Sequence, residues 1–189
     1  MNKIPEYGPD FEAVLKLQRE LEAESDRGAI LVASAMIEEE LRRLLDAYFV
    51  PGASTPDTLF DGANAPLSSF SAKIDIAYRA GRVSEQLCRD LHLVRKIRND
   101  VAHRPSGCTF EDPSLRDRVL ALTKSHGLYE RSPKWAARIG TPTIRHQFAE
   151  ATSWMIFFLA AERARTSHLP ARGREFAYRM SMDHDGLKE

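Results

Sequence analysis

The chain has 189 residues, 43% of them hydrophobic, enough to bury a sizeable core within one domain. Lys plus Arg and Asp plus Glu both total 27, so no overall field draws the protein toward nucleic acid or an anionic membrane. Cys88 and Cys108 are the only cysteines and stand in no C-x-x-C or Cys/His zinc spacing, which argues against a disulfide scaffold.

Residues 1–9 carry no apolar run behind a basic start, so no secretory signal is expected and the location is read as cytoplasmic. Asp10 is the expected N-cap of a first helix carrying Phe11, Val14, Leu15, Leu17 and Leu21 and ending near Glu24. Ser25 or Asp26 caps a second helix, in which Ile30, Leu31, Ile37, Leu41, Leu44, Leu45 and Tyr48 keep helical spacing until Pro51-Gly52. Glu38/Arg42 and Glu39/Arg43 stand four apart on its outer face, in the favourable ion-pair orientation. Residues 51–66 read as a long loop pinned by Leu59 and Phe60.

A third helix opens at Ser68-Ser69-Phe70-Ser71, runs through Ile74 and Ala77 and is closed by Gly81. Ser84 caps a fourth, whose Leu87, Leu91, Val94, Ile97 and Val101 form one apolar stripe. Pro105 and Gly107 end it. Asp112-Pro113 starts a fifth helix with Leu115, Val119, Leu120 and Leu122, ending by Gly127. After a loop containing Trp135, a last helix runs from Ile144 to about His168. Its unbroken apolar run over residues 154–161 is eight long, far short of the roughly twenty needed to cross a bilayer. Such a helix is central in a bundle or covered by a second subunit. The spacing predicts an all-α bundle of five to six helices over residues 1–169, with residues 170–189 as a C-terminal tail.

The chemically richest stretch closes the fourth helix: Arg95-Lys96-Ile97-Arg98-Asn99-Asp100-Val101-Ala102-His103. Asn99 and His103 share a helix face, and Arg98 lies about 140° from His103. Residues 79–104 hold seven basic side chains against three acidic ones, a local +4, while residues 10–50 hold ten acids against five bases, a local −5. Opposed segments of this kind pair within a fold or across a dimer more often than they mark a ligand site. Arg95, Lys96, Arg98 and Arg104 are the candidate nucleic-acid contacts. The bland reading gives Asn99 and His103 to backbone carbonyls at the helix end and Arg98 to an acid such as Asp26 or Glu24, with Asp26, Arg27 and Asp100 as bracing residues. Lys73 beside the serine cluster has no placed partner. His92, His126, His146 and His168 make no i,i+4 pair and no H-E-x-x-H, so no metal site and no cofactor is expected. No helix-turn-helix with an exposed polar recognition helix is present.

Three blocks in this order carry a resemblance: Glu24-Ser25-Asp26-Arg27-Gly28 leading into Leu31-Val32-Ala33; Leu59-Phe60 followed by Ala65-Pro66-Leu67-Ser68-Ser69-Phe70-Ser71-Ala72-Lys73-Ile74; and Ile97-Arg98-Asn99-Asp100-Val101-Ala102-His103. Over roughly residues 10–125 the chain resembles the mannitol operon repressor (MtlR) family. The resemblance implies an all-helical bacterial transcriptional regulator without a standard DNA-reading module, acting through protein partners or a non-standard DNA contact. It fades beyond residue 125, so mannitol itself is not implied. The 98–103 block also resembles the R-x4-H motif of the HEPN superfamily. That resemblance implies the alternative, a metal-independent ribonuclease of toxin or defence type in which Arg98 and His103 act across a dimer with Asn99 in support. The expectation leans to a non-enzymatic regulator, homodimeric through apolar surface of the fourth or last helix.

Overall fold

The structure is a computed structural model and describes residues 9–52, 55–104, 107–126, 142–171 and 173. These residues form six helices and no strand: α1 (Pro9–Ala23), α2 (Asp26–Tyr48), α3 (Phe70–Arg79), α4 (Glu85–Ala102), α5 (Pro113–His126) and α6 (Ile144–Arg165). The all-α bundle expected from the periodicity is therefore the observed architecture. Trp135 and residues 174–189 of the tail lie outside the described residues.

The helix starts are set by short polar side chains that satisfy otherwise orphaned backbone donors. The Ser25, Ser69 and Ser84 hydroxyls accept from the N–H groups of Gly28, Ala72 and Leu87, and Thr143 does the same for His146. Gly81, at φ 68°, makes the left-handed turn between α3 and α4, a conformation that costs a side-chain-bearing residue about 1–2 kcal/mol. Two boundaries differ from expectation. The first helix begins at Pro9, so Asp10 stands inside its first turn rather than before it. The last helix ends at Arg165, ahead of His168, because Thr166 is extended; the chain then turns back so that Leu169 N–H and His168 Nδ1 bond the Tyr48 and Phe49 carbonyls at the end of α2.

Two buried clusters share α2, α4 and α6. One joins Ile37, Leu41 and Leu45 of α2 to Phe70 and Ile74 of α3, Leu91 and Val94 of α4, and Met155 and Leu159 of α6, with Phe60 and Leu67 closing it from the 51–69 connection. The other joins Leu21, Ile30 and Ala33 to Ile97, Val101, Val119 and Phe148. All five stripe residues of α4 are buried, each burial being worth about 1.5–3 kcal/mol. The central position of α6 is met within one chain, since it lies against α1, α2 and α5, although Phe158 on its outer side is 44% exposed.

Candidate functional site

The end of α4 is braced by α2. Arg27 Nη1 donates to the Arg104 carbonyl at 2.8 Å, and Nη2 to that of Ala102 at 3.4 Å. A guanidinium thus meets carbonyls that a helix C-terminus leaves without partners, at its negative pole. His103 was expected to fill this place. Instead it is the C-cap residue: its backbone N–H bonds the Asn99 carbonyl, and its side chain is exposed. Neither Asn99 nor His103 makes a side-chain hydrogen bond among the described residues. Arg27 serves better because it approaches from outside, whereas side chains on α4 lean back toward its N-terminus.

Asp26 also departs from its expected part as brace of its own helix. It accepts Arg145 Nε at 2.9 Å and the Phe110 N–H at 3.0 Å, linking α2 to α6 and to the lead-in of α5. Burial pushes its carboxyl up, but the hydrogen bonds from Arg145, Phe110 and Thr109 and the Arg145 charge outweigh that and hold it below the ordinary 3.8. Arg145 also donates to the Glu22 carbonyl at 2.6 Å and to that of Glu24 at 2.5 Å, closing the end of α1. Two arginines therefore close two helix ends around the 24–28 block.

Arg98 does not meet Asp26 or Glu24. Its Nη2 lies 3.5 Å from Glu38 Oε2 on α2, and its guanidinium carbon lies 5.9 Å from the centre of the Phe70 ring. Glu38 Oε1 accepts Lys73 Nζ at 2.8 Å, and Lys73 also donates to the Ser68 carbonyl at 3.1 Å. The partner missing for Lys73 is thus Glu38, drawn inward to two cations of α3 and α4. This leaves Arg42 to Asp61 rather than to Glu38, while Arg43 pairs with Glu39 as expected. The Lys73 side chain is only 7% exposed, so that carboxylate is what offsets the cost of burying it.

The other motif residues go separate ways. Arg104 pairs with Asp112 at 2.5 Å, and Asp100 pairs with Arg118 of α5. Lys96 is exposed; Arg95 is half-buried, with Nε unpartnered among the described residues. Two of the four candidate nucleic-acid contacts, Arg98 and Arg104, are therefore held by carboxylates on different elements. No hydrogen bond joins Arg98 to His103 within the chain.

A cluster unforeseen in the sequence lies on the α3–α4 hairpin. Asp75, Cys88 and His92 place candidate ligand atoms within 4.8 Å of one another. The signal available was Cys88 and His92 at i,i+4; Asp75 comes from a different helix, so no single-segment spacing reveals it.

The fold and these helix-end clamps define a class: a helical bundle whose polar residues knit helix termini together. The sequence matches no protein-family profile and no curated protein. Among solved structures it is similar to a chain of the X-ray structure of the MtlR–HPr complex from Escherichia coli, at a TM-score of 0.59 and 16% identity, covering 79% of this chain and 99% of that one. At that identity the likeness is one of fold. In the described residues no helix is long and apolar enough to cross a membrane.

Proposed function

We propose that the protein is a cytoplasmic bacterial regulator of the mannitol operon repressor kind that works by docking on other proteins. The observation that carries this reading is the shared bundle, which spans nearly the whole of a chain solved in a complex between MtlR and HPr. Residues 1–169 form the regulatory domain and residues 170–189 an appended tail, with the active species a homodimer. The 98–103 block acts as scaffold: Arg98 is engaged by Glu38, and the helix end beyond it is held by Arg27. The partner is an HPr-like protein or another regulator, and repression is indirect. In a gel-shift at physiological salt the pure protein gives no tight, sequence-selective DNA complex. Selective binding in the nanomolar range or below, as specific DNA readers show at about 10⁻⁸–10⁻¹¹ M, would contradict the indirect mode.

A further inference from the structure

We infer that Asp75, Cys88 and His92 form a binding site for a divalent transition-metal ion of zinc type, clasping α3 to α4. Cys88 and His92 are one turn apart on α4, so both face the same way, and Asp75 of α3 stands opposite them. His92 Nε2 lies 2.9 Å from Asp75 Oδ1. Nε2 is the ring nitrogen that faces Asp75, so it is the Nε2 lone pair, in the tautomer with the proton on Nδ1, that an ion held between the carboxylate and the Cys88 sulfur would take. Nδ1 is buried and has no hydrogen-bond partner among the described residues, so no other protein group fixes the ring's tautomer from that side.

The donor set selects the ion. A thiolate, an imidazole and a carboxylate suit zinc or its spectroscopic substitute cobalt, whereas calcium and magnesium take oxygen donors. Tetrahedral zinc with bonds of about 2.0–2.3 Å needs donors about 3.5 Å apart, so closing the present cluster takes movements of roughly 1 Å. Asp75 is exposed and supplies that freedom. Burial pushes the Cys88 thiol up, and the Asp75 and Glu85 carboxylates push it further; the same negative field attracts a cation. On binding, the Cys88 thiol gives up its proton to solvent as sulfur takes the metal. Three protein ligands leave a coordination position for water or a partner's side chain.

The test is titration of the full chain with Zn²⁺ against a chromophoric chelator, alongside the absorption spectrum with Co²⁺. Wild type and Cys108→Ser are expected to bind a single Zn²⁺ per chain and to show the thiolate-to-cobalt charge-transfer band. Cys88→Ser abolishes the band, and His92→Gln and Asp75→Asn weaken Zn²⁺ binding by at least about ten-fold. Circular dichroism establishes folding. Asp75→Asn, at an exposed position, is decisive should the α4 variants fail to fold. No saturable Zn²⁺ binding by wild type, undiminished affinity in folded Asp75→Asn, or loss of the band only in Cys108→Ser would each overturn the assignment.

Discussion

Arg27 on α2 donates to the Arg104 carbonyl just beyond α4, so a side chain 77 positions earlier in the sequence fixes the end of the helix that carries the 98–103 block. Replacing it by alanine removes a charged donor from a helix C-terminus. Arg27→Ala is expected to cost about 1–2 kcal/mol and roughly 3–6 °C in Tm. Amide exchange should rise locally at residues 101–104. An unchanged Tm with unaltered exchange there would show that the clamp contributes nothing.

Glu38 holds two cations, one of them nearly buried. Glu38→Ala leaves Lys73 without its counter-charge and beside Arg98, and is expected to destabilise by about 3–5 kcal/mol. Pairing it with Lys73→Met should recover much of that loss, because the stranded charge is then gone. Chemical denaturation of both single variants and the double variant checks the coupling; strictly additive losses would argue against it.

Asp26 makes part of the stability depend on acid pH. Its folded carboxyl titrates below the ordinary 3.8, so its contribution is fully present above that value and is lost as the pH falls through the lower, folded value. Asp26→Asn should therefore be less stable than wild type at neutral pH, and the difference should shrink below pH 3.8. A difference that stays constant through the acid range would rule out this linkage.

His103 is the most separable residue of its block. Exposed and without a side-chain bond among the described residues, it is expected to tolerate alanine within about 0.5 kcal/mol. With the block as scaffold, purified wild type and His103→Ala both leave RNA intact. Cleavage by wild type that vanishes in a folded His103→Ala would revive the ribonuclease reading.

Much of the fold was legible because it depends on local chemistry. The serine caps at 69 and 84, the α4 stripe and the punctuation at Gly81 all follow from spacing within a few residues, while at α2 spacing left Ser25 and Asp26 as alternatives, of which Ser25 is the cap. The pinning of the long connection by Phe60 was legible too, since an aromatic side chain in a polar loop has only the core to enter. What could not be read were partnerships across the chain. Arg98 had several carboxylates within the reach of plausible topologies, and only the packing of α2 against α4 selects Glu38. Asp26 looked like a cap because its sequence position is that of a cap, yet its tie to Arg145 spans 119 residues. The Asp75, Cys88 and His92 grouping was missed for the same reason: it needs two helices to be antiparallel neighbours before its third member appears.

Calorimetric titration of the full chain with HPr from the same organism tests the protein-docking account most directly. A saturable complex, kept by His103→Ala and formed without DNA, is the predicted result. No heat and no co-elution with HPr, together with selective operator binding by the pure protein, would contradict it.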